Sequence, residues 1–321
     1  MSIETSGEDF VRPDVRAFLD DIAGRGCKKI HEVDAVEGRR MSESLRRIAD
    51  VCSRTIATRR DVEIPSAAGH RINARFYDPR DTRESGPLLI FIHGGGFVLG
   101  DLDSYDAACV DIARGLDLPL LSIDYRLAPE NPWPAAPDDC EAAARWIAAQ
   151  GELFGRSFDS LAIAGDSAGG ALTVITAMAL RDEPAALPVI AIWPLYPATN
   201  LRKRYRSTER FGDDYLLTKD TLLWFNEAYA PDFSHWRASP QLGRIEQLPP
   251  ALVVTASLDP LLDQGRAFAN ACIDAGIPTV YREAHGNIHG WLTLRKGIPS
   301  SEDDLHGCLT GFKAMIEEYR P

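Results

Sequence analysis

An apolar run, Leu161-Ala162-Ile163-Ala164, leads into Gly165-Asp166-Ser167-Ala168-Gly169, and an Ala-rich stretch follows from Ala171 to Leu180. The pattern is strand, sharp turn, helix, with a serine at the apex. The flanking glycines let strand and helix approach closely, and the turn lifts the Ser167 hydroxyl out of the sheet edge into a cleft. Ser167 is therefore the candidate nucleophile, against the plainer reading of a Gly-rich turn. Strand-like runs recur at Ile72 to Tyr77, Leu88 to Ile92, Leu120 to Asp124, Val189 to Trp193, Leu252 to Ala256 and Thr279 to Glu283. They alternate with helical stretches. Such alternation implies an α/β fold with a mainly parallel central sheet flanked by helices.

The run Pro87 to Ile92 ends in His93-Gly94-Gly95-Gly96-Phe97. A serine that attacks a carbonyl needs rigid donors where the oxygen becomes an oxyanion, and backbone N–H groups serve well. An HGGG loop paired with the residue after the nucleophile is a known oxyanion pattern of lipases and esterases. Gly95, Gly96 and Ala168 are the donors expected here. A phosphate-binding loop is the rival, but the Lys-Ser/Thr ending of a P-loop and the spacing of a dinucleotide fingerprint are missing.

The nucleophile also needs a base and a carboxylate to orient it, in the chain order Ser, Asp or Glu, His. His235, His285 and His289 follow Ser167 at plausible range. His289 lies in Gly286-Asn287-Ile288-His289-Gly290-Trp291, whose glycines suit a loop that curls back over a cleft. His289 is favoured as base over its close competitor His285, which is expected to steady its neighbour or face solvent. His235 is expected to be structural or at the surface. Asp259 ends the strand-like run Ala251 to Ala256 and faces the same rim, whereas Asp263 lies a turn into the next helix. Asp259 is the expected orienting carboxylate. Two histidines four apart can chelate zinc on a helix, but Gly286 and Gly290 oppose a helix and a zincin glutamate is missing. No metal and no cofactor are expected.

His93-Gly94-Gly95-Gly96-Phe97, Tyr125-Arg126-Leu127-Ala128-Pro129-Glu130, Gly165-Asp166-Ser167-Ala168-Gly169-Gly170, Asp259-Pro260-Leu261-Leu262-Asp263 and His289-Gly290 occur in that order. Together they resemble the hormone-sensitive lipase family of α/β-hydrolases, in its bacterial carboxylesterase branch and GDSAGG subgroup. The resemblance runs from about residue 10 to the end. It implies an α/β-hydrolase fold with a helical cap, cofactor-free hydrolysis of short-chain acyl esters, and a triad of Ser167, Asp259 and His289. Trp291 departs from the pattern, since the family usually has Phe after the His-Gly pair. Arg126 and Glu130 are expected to pair under the cleft, His93 to brace the glycine loop, and Asp166 to bond backbone near the elbow.

The chain has 321 residues, 45% of them hydrophobic, enough for one large core. Its net charge of −12 argues against nucleic acid or an anionic membrane as partner. The first ten residues are acidic and carry no apolar run, so neither a signal peptide nor a membrane span is expected, and a cytoplasmic location follows. The six cysteines are scattered and read as free thiols. A homodimer is left open. Residues 1–58 are helical in pattern and read as a first cap segment, with 59–195 the first part of the core. Residues 196–242 break the alternation, are polar and aromatic, and read as a cap insertion before the rest of the core at 243–321. Phe211, Trp224 and Phe225 of that insertion, with Trp291, are the expected pocket wall around a small-molecule ester. The motifs leave open an activated amide such as an aryl formamide. A non-catalytic receptor on this scaffold would lack the histidine, and a true lipase would expose a large apolar lid.

Overall fold

The computed structural model describes residues 9–66 and 69–320. Two helices come first, α1 (Pro13–Gly24) and α2 (Ala35–Ala49). Asp34 caps α2 by accepting the Glu37 N–H, which satisfies one of the donors a helix leaves open at its start. The strands and helices then run β1 (Thr58–Pro65), β2 (Arg71–Asp78), β3 (Gly86–Ile92), α3 (Asp106–Leu116), β4 (Leu120–Asp124) and α4 (Ala135–Gln150). Next come β5 (Glu152–Leu153), β6 (Arg156–Asp166), α5 (Ala168–Asp182) and β7 (Val189–Leu195). The chain ends with α6 (Arg206–Phe211), α7 (Lys219–Tyr229), β8 (Ala251–Leu258), α8 (Leu262–Asp274), β9 (Thr279–Ile288) and α9 (Ser301–Tyr319).

The sheet order is β1-β2-β4-β3-β6-β7-β8-β9. β2 pairs antiparallel with both β1 and β4, and along the rest of that order, from β4 to β9, every pairing is parallel; β5, off this order, pairs antiparallel with β6. Strand β3 shows why the sheet needs helices on both sides. Leu88, Ile90 and Ile92 enter one apolar cluster, with Leu172 and Ile175 of α5, while Leu89 and Phe91 enter another, with Phe312 of α9. Side chains alternate faces along a strand, so a strand apolar at both parities must be covered twice. Strand β5 is absent from the sequence reading. It forms a hairpin with β6 across Phe154 and Gly155, both at positive φ. A phenylalanine at such a position carries none of the usual turn signals.

Helices α1, α2, α6 and α7 lie outside the alternating core and supply residues to the roof of the cavity that holds Ser167, at the carboxyl end of β6. Polar straps tie roof to core. Arg39 of α2 holds Glu130 through two bonds of 2.8 and 2.6 Å and also donates to the Val98 and Ala128 carbonyls. Arg295, fully buried, reaches Asp111 of α3 at 2.7 Å and Asp50 at 3.5 Å. These contacts correct one expectation. Arg126 and Glu130 do not pair with each other: Arg126 grips the buried Asp139 of α4 at 2.9 Å, and Glu130 faces α2. A carboxylate already inside α4 offers Arg126 a bidentate partner with less solvent than Glu130 could.

Candidate active site

Ser167 sits between β6 and α5 with φ 56° and ψ −117°. A residue with a Cβ rarely holds a positive φ, and about 1–3 kcal/mol of strain must be over-determined by its surroundings. Its N–H donates to the Leu195 carbonyl at 2.8 Å, and its own carbonyl accepts the Ala171 and Ala198 N–H groups at 3.1 and 3.2 Å. A Cβ on Gly169 would collide with the carbonyls of Ile92 and His93. Close passage of α5 over the end of β3 therefore demands that glycine, as the pentapeptide pattern implied.

Asp259 follows β8 and is fully buried. One oxygen accepts the Leu261 N–H at 2.7 Å, and the other lies 2.7 Å from His289 Nδ1. His289 Nε2 is 2.8 Å from Ser167 Oγ. With the proton on Nδ1 facing the carboxylate, Nε2 is left to accept the serine hydroxyl. Three residues far apart in sequence thus form one continuous hydrogen-bonded line. β9 runs on to Ile288, past the loop expected from Gly286, so His289 follows the strand directly; Gly286, at φ 74° within β9, donates its N–H to Ser257 Oγ, and Gly290, at φ 80°, turns the chain after the histidine. The buried Tyr196 ring stands 4.7 Å from the imidazole. His285 is exposed, stacked on Phe10, with its carbonyl taking the Arg12 Nε–H. Asp263 accepts the Ser207 N–H, and His235 Nδ1 accepts the Arg237 N–H.

The glycine loop after β3 faces this line. The Gly94 N–H is spent on Asp166, at 2.7 Å, and on the Tyr105 hydroxyl, at 3.1 Å. Among the described residues the Gly95 and Gly96 N–H groups meet no protein acceptor. Ala168 opens α5, so its N–H has no partner inside the helix. All three residues line the same cavity as Ser167 and His289. His93 is buried under the loop, stacked on Tyr125 at 4.3 Å, with Nδ1 2.8 Å from the Gly94 carbonyl. Burial pushes its imidazole down to about 4, against the pull of that carbonyl, so it is neutral and donates to Gly94. Burial also raises the Asp166 carboxyl above its ordinary value, opposed by the Arg46 charge, Tyr105 and the Gly94 N–H.

A strained serine after a parallel strand, beside a base, a carboxylate and free loop amides, has counterparts among known proteins. Residues 89–293 match the family model described as the alpha/beta hydrolase fold. The chain belongs to that family. It is 35% identical over 308 residues to the ethyl acetate hydrolase of Pseudomonas putida, covering 92% of this chain and 96% of that one. It is 41% identical over 244 residues to the carboxylic ester hydrolase LipN of Mycobacterium tuberculosis, covering 73% of this chain and 64% of that one. Among solved structures, an α/β hydrolase from the metagenome of Lake Arreo, Spain, superposes with a TM-score of 0.90 at 34% identity, over 95% of this chain and 98% of that one.

In this α/β-hydrolase the cavity above Ser167 measures about 1410 Å³. Of the four expected wall residues, Phe225 lines it, its ring against Gly96 so closely that a Cβ there would overlap it. The other three do not. Trp224 turns toward α2, donating to the Val33 carbonyl at 3.1 Å and resting on Gly38. The Trp224 ring is taken up by the α2 side, and the Phe225 ring faces the glycine loop. Phe211 is buried in a cluster with Leu258 of β8, Leu262 of α8 and Ile288 of β9, where the roof meets the core. Trp291 is fully buried, edge-on to Tyr196 at 5.9 Å, one layer behind the imidazole. Leu19, Met41, Leu45, Leu201 and Leu222 complete the wall instead. The helical spacing of Met41 and Leu45 was visible in the sequence. It marks an apolar face, but not which surface that face meets.

Among the described residues no helix is long and apolar enough to cross a membrane.

Proposed function

We propose that this carboxylic ester hydrolase is a serine esterase of the hormone-sensitive lipase family, GDSAGG subgroup, acting on soluble short-chain acyl esters. The observation that carries the proposal is the unbroken line from Asp259 through His289 to Ser167 at the floor of the cavity. Ser167 Oγ attacks the ester carbonyl while His289 Nε2 takes its proton. Asp259 holds the tautomer and favours the imidazolium that forms. Gly95, Gly96 and Ala168 receive the oxyanion, where fixed amides need no reorganisation. The alcohol leaves with the proton from His289, and water repeats the cycle on the acyl-enzyme.

Short acyl groups are supported by two facts. The relative from Pseudomonas putida is named for ethyl acetate. Phe225 presses on Gly96 and narrows the space beside the loop amides. The rest of the cavity is roomy and accommodates a bulky alcohol portion. Two measurements test this. A fluorophosphonate should label Ser167, read by peptide mass spectrometry. Hydrolysis of p-nitrophenyl esters from acetyl to palmitoyl should peak between acetyl and hexanoyl. Palmitoyl esters cleaved as fast as butyryl esters would sink the short-chain part, and label on another serine would sink the mechanism.

A further inference from the structure

Arginines in this protein mostly find carboxylates, but Arg46 of α2 has none within salt-bridge distance among the described residues. It is half-buried in the cavity wall. Its guanidinium carbon stands 4.6 Å above the Tyr105 ring, and Nη2 donates to the Tyr105 hydroxyl at 3.2 Å. On the other side of that hydroxyl lies a second unpaired charge. Asp166, almost fully buried, has no cation within salt-bridge distance among the described residues. Its Oδ2 accepts the Tyr105 O–H at 3.1 Å and the Tyr196 O–H at 3.4 Å, and its Oδ1 takes the Gly94 N–H. A guanidinium and a carboxylate thus face each other through one tyrosine hydroxyl. A buried carboxylate without a cation is costly, and a chain of hydrogen bonds in low dielectric lets a charge act one residue away.

We propose that Arg46 is a positioning residue for the oxyanion loop: through Tyr105 it steadies Asp166, which fixes Gly94 and so keeps Gly95 and Gly96 aimed beside Ser167. This rests on the esterase reading of the site. It assigns the N-terminal helical segment a part in the chemistry as well as in roofing the cavity. The order of the relay is fixed by its donors. Arg46 can only donate, Tyr105 accepts from it and donates onward, and the carboxylate only accepts. Arg46 makes no hydrogen bond to Ser167 or His289, and its hydrogen-bonded route to the glycine loop runs through Tyr105 and Asp166.

A double-mutant cycle tests the relay on the full-length enzyme with p-nitrophenyl butyrate. Arg46→Met should lower kcat on the order of 10²-fold, the size expected when catalytic groups shift by about an ångström, with KM little changed. Arg46→Lys should recover most of that loss, since an ammonium can still donate to Tyr105. In an Asp166→Asn background, adding Arg46→Met should change kcat less than about twofold. Tyr105→Phe keeps the ring under the guanidinium and removes the relay. It should reproduce the Arg46→Met loss and be insensitive to adding it, which covers the case in which Asp166→Asn does not fold. Equal losses from Arg46→Met in the wild-type and Tyr105→Phe backgrounds, or a loss confined to KM, would overturn the relay and leave Arg46 as a roof contact. Failure of the esterase reading is separate and would show in the wild type, as absent ester turnover or absent label on Ser167.

Discussion

Across the cavity, two walls face each other under different constraints. On the sheet rim, Ser167, Asp259 and His289 are held by backbone hydrogen bonds, left-handed turns and glycines that admit no Cβ. On the roof, the wall is made of Leu45, Leu222 and their neighbours, on helices held by side-chain straps such as Arg39–Glu130, whose carboxylate is half exposed. Exposed ion pairs contribute about 0–1 kcal/mol each, whereas a strained turn or a buried carboxylate tolerates almost no displacement. The difference separates two jobs. On the proposed reading, the rim sets whether the reaction runs, and the roof sets what fits beneath it. Arg46 is the point at which the roof reaches into the rim.

The largest contrast expected is within the rim itself. Ser167→Ala should lower kcat on the order of 10⁶-fold, and His289→Ala should approach the same loss because the two act as a unit. His285→Ala, four residues away but exposed against Phe10, should leave kcat nearly intact. Steady-state kinetics on p-nitrophenyl butyrate decides this, and reversed phenotypes for the two histidines would move the base.

A second contrast sets core against wall. Trp291→Ala should destabilise the fold by about 3–5 kcal/mol, as large aromatic truncations in a core do, with no change in preferred acyl length. Phe225→Ala should lose less stability and shift the optimum toward longer acyl groups. Chemical denaturation and acyl-length profiles of both variants check the pair. A changed acyl optimum in the Trp291 variant would place that ring at the pocket after all.

The smallest effect concerns pH. His93 is buried and held neutral, its imidazole down to about 4 from 6.5. Between those values the unfolded chain binds a proton that the folded chain refuses, so this residue makes stability fall as pH drops from 6.5 toward 4, by at most about 1.4 kcal/mol per pH unit. Asp124, 4.0 Å away, acts in the opposite sense: burial pushes its carboxyl up to about 6, so the folded state keeps a proton that the unfolded state loses above 3.8. Urea unfolding at several pH values should show a shallower acid loss for His93→Asn than for the wild type. Parallel curves would mean that His93 takes up its proton equally in the folded and unfolded chain, against its being held neutral by burial.

What could be read in advance is what depends on neighbours in sequence. Turn glycines, the serine elbow, the loop amides and the Asp259-Pro260 strand end are short-range geometry, so their residue types announce them. Alternating apolar runs likewise gave a parallel sheet covered on both faces. Side-chain destinations were different. Trp224 and Phe225 are adjacent and chemically alike, yet only one faces the cavity, because helix phase relative to α2 decides it. Glu130 pairs with an arginine 91 residues upstream rather than with Arg126 in its own motif. Composition and periodicity say that a face is apolar or a group charged. Which surface covers that face, and which partner meets that charge, follows only when segments distant in the chain are packed together, since those energies depend on separation in space.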